Sequence, residues 1–235
     1  MLFRSGHGRS EKRKSQHWNE FIADICALIK QLDLVNIVGI GHSMGAHALI
    51  GAAGAMEERF NRLIAIDPVI PEESAYLEAN ANPLETVEAH PTARRRNQFD
   101  SPEAMAERLI DKGSYQVFDP DMFMDYCRFG LLPNEQGKGY VLACPPEIEA
   151  SVYMSSRSNP DIYNAVRSIE IPVLVLRAKE LTPDRDPMDF SVSPTWPGLA
   201  ETFKNGREIH FPDNTHFLPM ELPGKIIEII EDELC

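Results

Sequence analysis

The chain has 235 residues, 43% hydrophobic and 25% charged, with 36 Asp and Glu against 23 Lys and Arg. That mix belongs to a globular domain and excludes a disordered or fibrous chain, and the length suits one domain, or one core carrying an insertion. A formal charge of −13 argues against nucleic acid and anionic membrane surfaces as partners, because both call for a basic face.

The four cysteines, Cys26, Cys127, Cys144 and Cys235, are scattered and form no paired motif. They read as reduced thiols in a cytoplasmic protein. No apolar run approaches the roughly 18 residues that span a bilayer, and the first ten residues have no secretory apolar stretch.

In chain order, residues 1–14 read as a basic, Gly-containing loop with a solvated surface. Trp18, Phe21, Ile22, Ile25, Leu28, Ile29 and Leu32 recur at helical spacing and predict one amphipathic helix, broken at Asp33-Leu34. Val35–Ile40 is short, largely β-branched and uncharged, as a strand buried on both faces reads. A tight turn at Gly41–Gly45 leads into an Ala-rich helix, Ala46–Met56. A second buried strand, Arg62–Ile66, stops at Asp67-Pro68. This alternation predicts a parallel sheet with helices on its faces.

From Pro71 to Ser168 the sequence predicts helices and no core strand. The best helical stretches are Pro102–Lys112, Asp121–Phe129 and Pro146–Ser155. The region is rich in Met, Tyr and Phe, which suits a small helical subdomain with its own core; some of these side chains could also line an apolar pocket. Ile171–Leu176 and Glu208–Phe211 then read as strands, and Pro194–Phe203 and Pro223–Leu234 as helices. The expected organisation is an α/β core from 1–70 and 169–235, interrupted by a helical insertion at 71–168.

The main chemical signal is Gly41-His-Ser-Met-Gly45, a G-x-S-x-G motif between a predicted strand and a predicted helix. That turn would leave Ser43 strained and exposed, with small residues at 41 and 45 letting backbone pass close. A serine hydroxyl needs a neighbouring base. Of the seven histidines, His216 lies in a loop between the last strand and the last helix, where α/β sheets place their sites. His42 adjoins the nucleophile but reads as packed or hydrogen-bonded locally. The base in turn needs an acid. Asp67 and Glu180 each follow a predicted strand in the order Ser, acid, His, with Asp184 or Asp186 a little further on, and the choice stays open. The Met44 amide, just after the serine, can donate to an oxyanion. No metal-ligand cluster and no Gly-rich phosphate loop occurs, so no metal and no nucleotide or other cofactor is expected. Arg94, Arg95 and Arg96 read as a solvated surface.

Four segments, Ser5-Gly-His-Gly-Arg-Ser10, Gly41-His-Ser-Met-Gly45, Leu63-Ile-Ala-Ile-Asp-Pro68 and Asn214-Thr-His-Phe217, together resemble an α/β-hydrolase-fold serine hydrolase with a helical cap. The stretches Ala93-Arg-Arg-Arg96, Leu142-Ala-Cys-Pro-Pro146 and Ser193-Pro-Thr-Trp-Pro197 resemble a bacterial and fungal branch that includes peroxisomal and toxin-biosynthesis hydrolases. Two departures stand out. The turn where the family commonly holds its aspartate reads Ala178-Lys-Glu-Leu181, so the resemblance implies either Glu180 or a relocated acid at Asp67. The family also has about four strands before the Gly-His-Gly loop, one of whose connections supplies a second oxyanion donor. Met1 coincides with the end of the fourth, so the resemblance implies a longer natural protein. In the chain as given, Val35–Ile40 would lie at an uncovered sheet edge.

The resulting expectation is a cofactor-independent serine hydrolase acting on a small ester-like or other acyl substrate. Ser43 is its nucleophile, His216 its base, Asp67 or Glu180 its acid, and Met44 its oxyanion donor. The serine argues against dehalogenase and epoxide-hydrolase chemistry, which the fold runs with an aspartate there. The partner is a small-molecule substrate; homo-oligomerisation is left open. The alternatives are a catalytically impaired ligand-binding protein on the same fold, or an acyltransferase.

Overall fold

The computed structural model describes residues 5–79, 86–180 and 189–234. In chain order the elements are α1 (Asn19–Gln31), β1 (Ile37–His42), α2 (Met44–Ala55), β2 (Phe60–Ile66), α3 (Ser74–Ala79), β3 (Gln98–Phe99), α4 (Pro102–Leu109), α5 (Pro120–Phe129), β4 (Leu131–Pro133), β5 (Tyr140–Leu142), α6 (Pro146–Met154), α7 (Ile162–Ser168), β6 (Val173–Arg177), α8 (Leu199–Thr202), β7 (Gly206–His210), α9 (Leu218–Glu221) and α10 (Pro223–Leu234). Short 3₁₀ turns connect several of them. No helix among the described residues is long and apolar enough to cross a membrane.

By its contacts the chain divides into two units. One holds Met1–Trp18 and Asn82–Ser158; the other holds Asn19–Ala81 and Asn159–Cys235. The division thus falls at 18/19, 81/82 and 158/159, beside the expected 70/71 and 168/169.

The second unit is built on a four-stranded parallel sheet in the order β1-β2-β6-β7. Its apolar runs are the reason. All five residues of β6 are buried, as are Leu63 to Ile66 of β2, and successive side chains alternate between faces. Leu63, Ala65, Val173 and Val175 pack on one face with α2 residues Ala46, Ile50, Ala52 and Ala53 and with Leu199 and Phe203. Ile64, Ile66, Leu174 and Leu176 pack on the other with Ile226 and Ile229 of α10. The fold is therefore α/β, a parallel sheet covered by helices on both faces.

α2 is buried along most of its length, and its small residues let neighbours approach. A Cβ built on Gly54 would lie 2.5 Å from the Cβ of Ala165 in α7, and one on Gly51 would meet Ile22 of α1. Of the expected helix at 194–203, one turn forms, at α8, because Pro194 and Pro197 lack amide donors. The sequence reading also misses α7, whose seven residues are too few for a clear period.

The first unit carries the largest differences from expectation. Trp18 does not extend α1. It precedes the helix, is 2% exposed, and donates its indole N–H to the Val152 carbonyl at 3.0 Å. Ser15 N–H donates to Ser151 Oγ at 2.8 Å, and Lys12 Nζ to the Ala143 carbonyl at 2.7 Å. The N-terminal stretch is thus tied to α6 and its approach, and is more than a solvated loop. Strands β3, β5 and β4 form a small antiparallel sheet that sequence reading did not find. Two or three residues are too short to show alternation. Phe99, Met105, Phe123, Cys127, Leu131 and Leu142 form this unit's own core.

Gly54→Ala is expected to lower stability by about 1–3 kcal/mol, the usual cost of overpacking, despite the roughly 1 kcal/mol alanine gains over glycine in a helix. Adding Ala165→Gly should recover most of that loss. A higher Tm for Gly54→Ala alone, by thermal unfolding, would contradict this packing.

Candidate active site

Three chain segments meet at the carboxyl ends of the parallel strands. β1 ends at His42, and Ser43 turns directly into α2 with φ 58° and ψ −125°. Such a positive φ is uncommon for a residue with a side chain. Its amide donates to the Ile66 carbonyl at 2.9 Å, and its carbonyl accepts from His47 N–H at 3.2 Å. The close approach falls on Gly41, where a Cβ would sit 2.7 Å from the Ala46 nitrogen and 2.8 Å from the Gly45 carbonyl oxygen. At Gly45 a Cβ would meet nothing within 4 Å, so the second small residue of the motif is not demanded by that space. Met44 opens α2 and is 6% exposed. A helix's first amides have no intrahelical acceptor, which leaves its N–H as a donor at this turn.

The second segment follows β2. Asp67 has no exposed surface, and its φ is 43°. Its amide donates to the Leu176 carbonyl at 2.6 Å. Oδ1 accepts from Ala178 N–H at 2.9 Å and from Ser193 Oγ at 2.6 Å, and lies 3.3 Å from Thr195 Oγ1.

The third segment follows β7. His216 is 2% exposed. Its Nδ1 lies 2.7 Å from Asp67 Oδ2 and its Nε2 lies 2.9 Å from Ser43 Oγ. An ionised carboxylate only accepts, so Nδ1 carries the proton and Nε2 is left to accept from the serine hydroxyl. The backbone of His216 is held on both sides. Its N–H donates to the Phe190 carbonyl at 3.2 Å, and its carbonyl accepts from His42 Nε2 at 2.7 Å. The Phe190 ring stacks on the imidazole, with centroids 5.9 Å apart.

The structure therefore brings Ser43, His216 and Asp67 into one hydrogen-bonded chain. Glu180 is not part of it. Its side chain is 62% exposed and lies 3.6 Å from Arg177, which is itself bound through two nitrogens to Glu208 at 2.8 and 3.0 Å. Leu181, Asp184 and Asp186 lie outside the described residues. His42, expected to be packed or hydrogen-bonded locally, does pack, against the His216 and Phe217 rings, but its hydrogen bond reaches a residue 174 positions away. Sequence reasoning also passed over Phe190, and noticed Ser193 and Thr195 only as part of a motif.

In the other unit the three arginines are each engaged. Arg95 pairs with Glu149 at 2.6 Å, Arg94 donates to the Ala89 carbonyl, and Arg96 donates to the Gln98 carbonyl and lies over the Phe99 ring. An open groove of about 460 Å³ there is lined by Arg96, Phe99, Arg108 and Asp111 among others. Among the described residues no group of three or more His, Cys, Asp or Glu side chains is placed to hold a metal ion.

Residues 4–229 match the Alpha/beta hydrolase family. The chain belongs to that family. Among curated proteins it is similar to a 2-(acetamidomethylene)succinate hydrolase of Mesorhizobium japonicum, 27% identical over 176 residues. That match covers 74% of this chain and 58% of the relative, so the chain spans less than two thirds of that relative's length. Among solved structures, an E-2-(acetamidomethylene)succinate hydrolase superposes with a TM-score of 0.69 at 21% identity, covering 97% of this chain and 77% of that one. A peroxisomal α/β-hydrolase of Saccharomyces cerevisiae gives 0.70 at 16% identity, covering 94% and 61%. An esterase of Thermogutta terrifontis gives 0.62 at 21%, covering 99% and 77%. At these identities the structural likeness establishes the fold.

His42 generates a pH prediction. Burial first, then repulsion from His216, pulls its ring from the ordinary 6.5 to about 4, against the opposing pull of the His216 carbonyl and Asp67. An unfolded chain takes up a proton here below about pH 6.5 and the folded chain only below about 4. Stability is therefore full above 6.5 and falls as the pH drops between those values. His42→Gln, which keeps a donor and cannot titrate, should lose less stability than the wild type between pH 7 and 4.5. The difference should be on the order of 2 kcal/mol in urea unfolding, and equal losses would show that His42 is not the group responsible.

Proposed function

We propose that the chain is a cofactor-independent serine hydrolase that cleaves a small ester-like or other acyl substrate through an acyl-enzyme. The observation that carries this reading is the continuous hydrogen bonding from Ser43 Oγ through His216 to Asp67, at 2.9 and 2.7 Å. Nucleophile, base and orienting acid lie within bonding reach of one another, which is the geometry such chemistry needs.

In this reading Ser43 Oγ attacks the acyl carbon while His216 Nε2 takes its proton. Asp67 holds Nδ1–H, fixes the tautomer and stabilises the imidazolium that forms. The Met44 amide, at the positive end of α2, donates to the oxygen on which negative charge develops. His216 then protonates the leaving group as the carbonyl re-forms, leaving an acyl-Ser43. Water deprotonated by the same Nε2 attacks that ester, and the acyl–Oγ bond breaks as His216 returns the proton to Ser43 Oγ, releasing the acid. Asp67 takes the acid's role and Glu180 has none. The relative named for 2-(acetamidomethylene)succinate favours a compact acyl substrate of similar size.

Labelling with a fluorophosphonate probe, followed by mass spectrometry of the modified peptide, tests this reading. The folded protein should be modified at Ser43, and Ser43→Ala and His216→Ala should reduce labelling to background. Asp67→Asn should slow it by about 10³–10⁴-fold, whereas Glu180→Gln should stay within about twofold. A folded sample that takes no label at Ser43 would favour a ligand-binding protein without catalysis.

A further inference from the structure

Asp67 sits where a carboxylate needs help to hold one orientation. Its backbone has a positive φ, it is followed by Pro68, and it is fully enclosed. Two side chains more than 120 positions away reach it. Ser193 and Thr195 are 0% and 1% exposed. Ser193 Oγ is 2.6 Å from Asp67 Oδ1 and also accepts the Thr195 amide at 3.0 Å. The carboxylate cannot donate, so the serine proton points at Oδ1. With the Thr195 amide fixed on the other side of the oxygen, the hydroxyl has one orientation.

Thr195 has one hydroxyl proton and two acceptors in range. The Pro68 carbonyl, at 2.7 Å, is nearer than Asp67 Oδ1, at 3.3 Å. The proton therefore goes to the Pro68 carbonyl and pins the 68–69 peptide, one residue past the strained Asp67. The segment bearing both side chains is anchored at each end. Ser193 N–H donates to the Lys179 carbonyl at 2.7 Å, just past β6, and Trp196 N–H to the Ile70 carbonyl at 3.0 Å, just past β2.

We propose that Ser193 and Thr195 are the positioning residues of Asp67. Ser193, together with the Ala178 amide, occupies Oδ1 and so leaves Oδ2 to face His216 Nδ1. Thr195 holds the 68–69 peptide, and so the turn in which Asp67 aims its side chain. The role is defined through Asp67 and rests on the reading of Ser43 as the nucleophile given above.

Second-order rates of fluorophosphonate labelling at Ser43 test it. Ser193→Ala is expected to slow labelling by about 10–100-fold, the scale on which removing the hydrogen-bond partner of a metal ligand acts, and Ser193→Thr to stay within about threefold of the wild type. Thr195→Val, which keeps the volume and removes the hydroxyl, should slow it by about 3–10-fold. Placed on Asp67→Asn, Ser193→Ala should add less than about twofold, because residues acting through one another are not additive. An equal Ser193→Ala factor in both backgrounds, or unchanged labelling of folded Ser193→Ala, overturns the inference. Folding is checked by circular dichroism, and if Ser193→Ala does not fold, Thr195→Val on the two backgrounds decides by the same criterion. A wild type that takes no label overturns the reading of Ser43 and this inference with it. A labelled wild type with an indifferent Ser193 overturns the inference alone.

Discussion

The hydrogen bond between Asp67 and His216 is the contact on which the site depends, and it is costly to make. A carboxylate with no exposed surface loses its hydration and must recover it from protein donors. Asp67 recovers it from these donors: Ala178 N–H and Ser193 O–H serve Oδ1, and His216 Nδ1–H serves Oδ2. Each donor comes from a different part of the chain, and the sheet brings them together. β2 and β6 are neighbours in register, Ile66 opposite Leu176, so the residue two past Leu176 lies beside the residue one past Ile66. β1 lies on the other side of β2, which places Ser43 next to the same turn. β7 lies beyond β6, and its following loop is drawn back by Lys179 N–H donating to the Asn214 carbonyl at 2.9 Å. That tie brings His216 over the end of β6 to reach both partners.

The arrangement stores strain at two points, Ser43 and Asp67, both non-glycine residues with positive φ. Such conformations cost of order 1–3 kcal/mol each and persist only where the surroundings over-determine them. The surroundings are the buried strand ends. Ile64, Ile66, Leu174 and Leu176 are 4% exposed or less; the Asp67 turn leaves from Ile66, and the Ser43 turn, which leaves the half-buried β1 at His42, is bonded to that same Ile66. The backbone bonds Ser43 N–H to Ile66 and Asp67 N–H to Leu176 extend the parallel ladder one residue past each strand. The core therefore holds each turn from below.

What the sequence made legible follows from interaction range. Val35–Ile40 and Arg62–Ile66 are apolar enough to read as strands, though β1, at the edge of the four-stranded sheet, is only half-buried, with Ile40 41% exposed and Val35, just ahead of the strand, 59%. Gly41 to Gly45 sits between strand and helix, so the place of Ser43 is a local property. His216 is legible because one histidine falls in the loop after the last strand. The acid is not. Asp67 and Glu180 both follow strands and both suit the chain order, and the deciding contacts come from Ala178, Ser193 and Thr195, 111 to 128 residues from Asp67. What turns Glu180 away is equally remote from pattern: Arg177 is committed to Glu208 on the neighbouring strand, and the exposed Glu180 approaches it from outside. The short strands of the other unit and the placement of Trp18 escape for the same reason, since two or three residues carry no period and an indole bond to Val152 leaves no local mark.

Two imidazoles lie side by side in this site, with ring centroids 4.8 Å apart, and their environments assign them different work. His42 donates Nε2–H to the backbone of His216, a bond that needs no charge. A protonated His42 would face the imidazolium that the proposed reaction forms at His216. At an effective dielectric near 20 that repulsion is about 3 kcal/mol at this separation, enough to undo much of what Asp67 contributes. Burial together with His216 itself draws His42 down to about 4, which keeps it neutral through the ordinary imidazole range. The neighbour that holds His216 through its carbonyl is thus kept from opposing, through space, the charge that the proposed reaction places there.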